Sequence, residues 1–249
     1  MNRPDLVLLH GWGLGRTVWS PCLPVLAETV APRFADLPGY GDSPERGQTF
    51  MEAAQALADT LSPGATLCGW SLGSLLALQA TQLAPERVGR LILVGATPCF
   101  AQRDDWPAAQ PPALLDEFSS AVANDAKTTL QRFVAVTNQG DAKARSIGRE
   151  IARTVFSNPL PSTETLLAGL GWLRDVDLRN IVTGIACPVL LIHGENDPLM
   201  PLAAAHWLAD QLPQAELEIF PGAAHAPFLN DPERFARRIG AFLHAPEFA

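Results

Sequence analysis

Residues 65–83 constrain this chain more tightly than any other stretch. Ala65 to Cys68 is a short apolar run that reads as a buried strand, Gly69-Trp70-Ser71-Leu72-Gly73 makes a tight turn, and Ser74 to Leu83 reads as a helix. A serine between two glycines at a strand-to-helix turn sits on a strained backbone that only small neighbours permit. Its hydroxyl then projects above the sheet, and the helix N-terminus beneath it favours developing negative charge. The five-residue pattern is common by itself; the strand before it and the helix after it make it a specific signal for a nucleophile turn.

A chain of 249 residues suits one α/β domain with an inserted cap and can bury a large core. Its net charge of −8 argues against general nucleic-acid binding, which needs a basic surface. The cysteines, Cys22, Cys68, Cys99 and Cys187, lack metal-ligand spacing and have apolar residues or proline nearby, so they read as buried thiols. Leu6 to Leu9 is too short for a signal sequence, and no apolar run approaches a membrane span. The expectation is a cytoplasmic protein without membrane contact.

Taken in order, Asp5–Leu9 reads as a strand ending in His10-Gly11-Trp12-Gly13, and Thr17 to Leu26 as a short helix. Arg33–Leu37 is the next expected strand, closed by the turn-rich Pro38 to Ser43, and Thr49 to Leu61 has helical periodicity. The first strand starts so near Met1 that the sheet is expected to be trimmed at that edge. Arg90–Gly95 is a further strand beyond the elbow. From Asp104 to Asp177 the strand rhythm stops, and Ala113–Ala123, Lys127–Val136, Ala142–Phe156 and Ser162–Leu173 read as helices. This helical insertion, residues 104–177, reads as a lid over the strand C-termini, where ligands bind in open α/β sheets. Residues 1–103 and 178–249 form the expected core. The sheet resumes at Pro188–His193, followed by a helix at Pro201–Leu212, a strand at Glu216–Phe220 and a closing helix at Pro232–Leu243.

Ser71, Asp197 and His225 each lie just past an expected strand, which brings them to one edge of the sheet. Serine is a weak nucleophile at neutral pH and needs a base within hydrogen-bond reach. His225 can take its proton and return it to a leaving group, while Asp197 fixes the imidazole tautomer. Glu195 and Asp177 are alternative acids; Asp197 is preferred because it lies in the loop proper, ahead of a proline. Taken alone, Ser71 could be an ordinary turn serine and His225 a turn histidine. Their joint order and placement argue otherwise. Oxyanion donors are expected from the backbone N–H groups of Leu72, at the helix start, and Trp12, after the first strand. His10 reads as a structural histidine holding that loop, and His193 as a core or supporting group. No metal or cofactor is expected.

With these residues in hand, the chain resembles the α/β-hydrolase superfamily along nearly its whole length. It is most similar to the pimeloyl-[acyl-carrier protein] methyl ester esterases of biotin synthesis. The resemblance rests on Leu6–Leu14, Asp36-Leu-Pro-Gly-Tyr-Gly41, Gly69–Gly73, Pro85-Glu-Arg-Val88, Thr97–Pro107 and Ala223–Phe228. Tryptophan at both Trp12 and Trp70, with Pro-Cys-Phe and Asp-Trp-Pro beyond, is the narrower part of it. It implies an α/β-hydrolase fold, a mostly parallel sheet flanked by helices, and hydrolysis of a carrier-bound pimeloyl methyl ester to release methanol. It also implies substrate contacts at Trp12, Ser71, Leu72, Phe133, Val134, Ala135, Val136, Thr137 and His225.

An observation independent of the resemblance favours an acidic partner. Between residues 127 and 153, Lys127, Arg132, Lys143, Arg145, Arg149 and Arg153 outnumber Asp141 and Glu150 in a chain that is acidic overall. Acyl-carrier proteins are strongly acidic, so Lys127, Arg132, Arg145 and Arg149 are the expected docking cations; the bland alternative is a solvated helix face. The expected protein is a monomeric serine carboxylesterase. Its rivals are a broad short-chain esterase without carrier preference and a non-catalytic ligand-binding protein of the same fold.

Overall fold

A computed structural model describes residues 4–44, 49–156 and 159–245. Its strands are β1 (Asp5–Leu9), β2 (Ala31–Ala35), β3 (Ala65–Trp70), β4 (Val88–Val94), β5 (Val189–Gly194) and β6 (Ala215–Phe220). They form one sheet in the order β2-β1-β3-β4-β5-β6, and every neighbouring pair is parallel. A parallel sheet needs both faces covered, because its crossover connections lay helices on both sides. The sequence answers with near-continuous apolar strands: β3 and β5 are buried at every position.

The α-helices of the described residues are α1 (Leu23–Thr29), α2 (Phe50–Thr60), α3 (Leu72–Leu83), α4 (Pro112–Thr137), α5 (Ala144–Val155), α6 (Thr163–Asp175), α7 (Leu202–Gln211), α8 (Pro227–Asn230) and α9 (Pro232–His244). Their starts are written in side chains. Thr49 and Glu52 form a reciprocal capping box at α2, Ser162 caps α6, and the Asp231 carboxylate accepts from Arg234 N–H at α9. Each cap satisfies amide donors that a helix start leaves without partners.

Helices α4, α5 and α6 intervene between β4 and β5. The ends of this excursion are joined by an antiparallel bridge between Cys99 and Asp177 and by Leu178 N–H donating to Pro98 O at 2.9 Å. Within α4, Asp125 leaves helical geometry at φ −154°, ψ 89°, and its carboxylate accepts from Thr128 N–H. The break restarts the helix with a new cap, which accounts for the separate helices that the periodicity places on either side of residue 125.

Two elements depart from the sequence reading. The expected helix over 17–26 is a 3-10 turn, Arg16–Trp19, followed by α1, because Pro21 interrupts the amide donors between them. The expected strand at 33–37 lies two residues earlier, as β2. Leu37 N–H is held instead by His10 Nε2 at 3.1 Å, which takes it out of the ladder. Among the described residues β2 is an edge of the sheet. Cys22, Cys68 and Cys99 are buried free thiols, and Cys187 is half-buried.

Candidate active site

The turn between β3 and α3 puts Ser71 at φ 57°, ψ −122°, the single non-glycine residue with positive φ among those described. Such a conformation costs about 1–3 kcal/mol and persists only where the surroundings impose it. Here Ser71 N–H donates to Val94 O at 3.0 Å, and Ser71 O accepts from Ser74 N–H at 2.8 Å and Ser74 Oγ at 2.6 Å. A side chain on Gly69 would run into Gly73 O, and one on Gly73 into His10 O. The elbow therefore requires both glycines for backbone contact.

Across the sheet edge, β5 delivers Asp197 and the loop after β6 delivers His225. Asp197 Oδ2 lies 2.7 Å from His225 Nδ1, and both side chains are fully buried. Asp197 Oδ1 accepts from the backbone N–H groups of Leu199 and Met200, each at 2.9 Å. Burial alone pushes this carboxyl up; the facing His225, His193 and the Met200 N–H outweigh it and hold it below the usual carboxylate range. With Nδ1–H directed to the carboxylate, the unprotonated ring nitrogen is Nε2, which is buried and has no hydrogen-bond partner among the described residues. The backbone of His225 is tied to the elbow: Trp70, next to Ser71, donates its indole N–H to His225 O at 2.8 Å. Gly95, at the end of β4, leaves room for the imidazole, since a side chain there would meet Nδ1 at 3.0 Å.

His193 extends this group. Its Nε2 lies 2.8 Å from Met200 O and 3.6 Å from Asp197 Oδ2, so it braces the loop whose amides hold the carboxylate. The other acids have different partners. Glu195 Oε2 accepts from Gly222 N–H, and Asp177 pairs with Arg179 at 2.7 Å.

Trp12 and Leu72 flank the serine on the side covered by α4 and α6. The Trp12 indole donates to Leu166 O at 2.8 Å, and its ring meets Phe133 edge-on, 4.9 Å between centroids. Gly169 packs so closely that a Cβ there would lie 2.6 Å from Trp12 Cδ1 and 3.4 Å from Leu72 Cδ2. His10 supports the Trp12 loop from below. Because Nε2 accepts from Leu37 N–H, Nδ1 carries the proton and donates to Gly11 O at 2.8 Å. Burial lowers its pKa to about 4, aided by Arg16 and opposed by the Gly11 hydrogen bond. Both nitrogens are engaged, which suits the supporting role expected of it.

The helical turn of α4 sends residues 133–137 in different directions. Phe133 faces Trp12, and Thr137 O accepts from His225 N–H at 3.2 Å. Val134 and Ala135 line a groove of about 520 Å³ between α4 and α5, together with Arg145 and Arg149; Ala135 itself is exposed there. Val136 is half-buried. Lys127, Arg132, Arg145 and Arg149 are all exposed. The buried Asp141, which the sequence reading counted only as an opposing charge, is instead hydrogen-bonded to the loop that carries His225.

A strained serine at a helix N-terminus and an imidazole with one nitrogen fixed by a buried carboxylate can support acyl transfer through a covalent intermediate. Residues 6–238 match the alpha/beta hydrolase family, and the chain belongs to that family. Among its relatives are proteins named pimeloyl-[acyl-carrier protein] methyl ester esterase. That of Aromatoleum aromaticum is 44% identical over 238 residues, covering 94% of this chain and 95% of the relative. That of Klebsiella pneumoniae is 42% identical over 235 residues, covering 94% and 91%. Among solved structures, an esterase from Exiguobacterium antarcticum superposes with a TM-score of 0.87 at 24% identity, covering 98% of this chain and 93% of that one. A bromoperoxidase from Bacillus anthracis gives 0.86 at 20% identity, with the same coverage. At that identity the likeness speaks for the fold alone.

Proposed function

We propose that this chain is a serine carboxylesterase that hydrolyses the methyl ester of a pimeloyl chain carried on acyl-carrier protein, in biotin synthesis. The reading rests on the 2.7 Å contact between Asp197 and His225 beside the strained Ser71, in a chain whose full-length relatives bear that name. Ser71 Oγ attacks the ester carbonyl carbon while its proton passes to His225 Nε2. The negative charge on the carbonyl oxygen meets the N–H groups of Trp12 and Leu72. Collapse breaks the bond to the methoxy group, which leaves as methanol with the proton from His225. Water then gives a proton to His225 as it attacks the acyl-serine carbonyl; collapse breaks the bond to Ser71 Oγ, which takes that proton back from His225, and the acid leaves. The chemistry calls for no metal or cofactor.

Residues 104–177 act in this reading as a lid, with α4 and α6 over the site. Phe133 and Trp12 line the path of the acyl chain, and residues 134–137 take their place around it and its outer groove. Lys127, Arg132, Arg145 and Arg149 receive the acidic carrier. Their exposure supports this, since long-range attraction acts through solvent-facing charge. We assign the reaction to a monomer in the cytoplasm without nucleic acid or membrane as partner; no helix of the described residues is long and apolar enough to cross a bilayer.

The deciding experiment restores biotin-independent growth to a cell lacking this esterase with the wild type, but not with Ser71→Ala. Growth supported by Ser71→Ala overturns the mechanism. Arg145→Glu with Arg149→Glu separates the carrier-specific enzyme from a broad esterase. The expected result is a drop of about 10–100-fold in kcat/KM for the carrier-bound ester, carried in KM and recovered at saturating substrate, while turnover of free methyl pimelate is unchanged. Equal losses on both substrates refute docking at this face.

A further inference from the structure

The turn between α4 and α5 is bonded to both loops that carry the acid and the base. Asn196, next to Asp197, donates its side-chain amide to Gly140 O at 3.0 Å. Ala142 N–H donates to Gly222 O at 3.1 Å, and His225 N–H to Thr137 O at 3.2 Å. At the centre lies Asp141, 8% exposed. Its Oδ2 accepts from Ala224 N–H at 3.0 Å, and its Oδ1 accepts from Lys143 N–H at 2.6 Å and from the Asn230 side-chain amide at 2.8 Å. Lys143 Nζ in turn donates to Asn230 O at 2.6 Å.

We infer that Asp141 is a positioning residue for His225. The histidine backbone is gripped from opposite sides, its N–H by Thr137 O and its C=O by the Trp70 indole, and Asp141 fixes the amide just before it. Donors from three separate segments converge on one carboxylate, a task for a group that only accepts. Asparagine has the same shape but turns one N–H₂ toward a donor, so one of the three contacts becomes a repulsion. Buried groups that lose a partner relax their surroundings, and the peptide free to shift here is Ala223–Ala224, one residue ahead of His225. The insertion thus contributes to the base as well as covering the site. The sequence gives little sign of this, because Gly140-Asp141 looks like any surface turn.

This inference rests on the serine-esterase reading, and its test keeps the two apart. The proton shared by His225 Nδ1 and Asp197 is read by low-field NMR, which needs no turnover; hydrolysis of 4-nitrophenyl acetate, which needs no carrier, is read alongside. For Asp141→Asn and Asp141→Ala, with kcat measured well below each variant's unfolding temperature, we expect kcat to fall about 10–100-fold while KM moves by less than about threefold. We also expect the low-field resonance to shift or broaden. Asn230→Ala, which removes one donor and leaves Ala224 held, should keep most of the activity. A folded Asp141→Ala with wild-type kcat and an unchanged resonance overturns the inference, as does a variant whose only change is a lower Tm. If Asp141→Ala does not fold, Asp141→Asn decides by the same criteria. Loss of the esterase reading itself would appear elsewhere, as 4-nitrophenyl acetate turnover that survives Ser71→Ala.

Discussion

Replacing Asp197 with asparagine asks whether the carboxylate acts by setting the histidine tautomer. In the wild type, Oδ1 accepts from two backbone amides, Leu199 and Met200 at 2.9 Å each, while Oδ2 faces His225 Nδ1 at 2.7 Å. An asparagine has one acceptor oxygen to satisfy all three donors. Keeping it on the two amides turns N–H₂ toward His225, which then moves its own proton to Nε2 and can no longer accept from Ser71. Turning it to His225 instead strips both amides of their acceptor at about 1–3 kcal/mol each, and sets N–H₂ against them. The first arrangement is favoured, so the fold survives and the base is lost. Where a histidine is held in the wrong tautomer, the rate falls by about 10⁴-fold, equivalent to ~5 kcal/mol of transition-state stabilisation. Steady-state kcat/KM on a chromogenic ester, with unfolding by denaturant as a check on stability, measures both terms. Glu195→Gln is the control and should stay near wild type, since Glu195 holds only Gly222 N–H. An Asp197→Asn enzyme within tenfold of wild type, once contamination by deamidated protein is ruled out by mass, refutes the assignment.

Gly169→Ala should be harmful although alanine favours helices by about 1 kcal/mol, because the new methyl would stand 2.6 Å from Trp12 Cδ1. Overpacking of this kind costs about 1–3 kcal/mol and displaces Trp12, the residue proposed to supply an oxyanion donor, so both denaturant stability and kcat should fall; a more stable, fully active variant would contradict this packing. His10 gives a pH signature. Its folded pKa of about 4 lies below the ordinary histidine value of 6.5, so the unfolded chain binds the extra proton first and stability declines as pH falls from about 6.5 toward 4. The contribution lost by pH 5 is ~2 kcal/mol, and His10→Gln, followed by urea unfolding across this range, should flatten that slope. An unchanged slope would remove His10 as its source.

The parts of the site legible in the sequence are those where backbone geometry demands particular residues. Ser71 needs Gly69 and Gly73 because backbone atoms pass where side chains would stand, and that requirement is visible as a spacing. Asp197 and His225 could be placed because each follows a readable strand, the apolar β5 for Asp197 and the alternating β6 for His225, and the strands set the direction of the loops. The exclusions are equally physical. Strand β2 was displaced because apolar Phe34 and Leu37 suggest a run, whereas a histidine 27 residues earlier takes the Leu37 amide. Residues 133–137 were grouped as one contact surface, but a helix turns successive side chains to different faces. The bonds from Asp141 to Ala224 and Asn230 span 83 and 89 residues, and nothing local to position 141 announces them.

The outer edge of β2 carries a further consequence. Ala31 N–H points inward, to Pro4 O, so the alternate positions Pro32 and Phe34 present their backbone outward. Proline has no donor to present, and the exposed Arg33 beside it is paired with Asp5 across the first two strands. An open strand edge is a template for another chain, and proline with neighbouring charge is how such a template is spoiled. Among the described residues that edge is unpaired, and Pro32 is expected to protect colloidal behaviour rather than fold or catalysis. Valine at this position would leave turnover intact while restoring a recruiting edge, and concentrated solutions of that protein would be the first to turn cloudy.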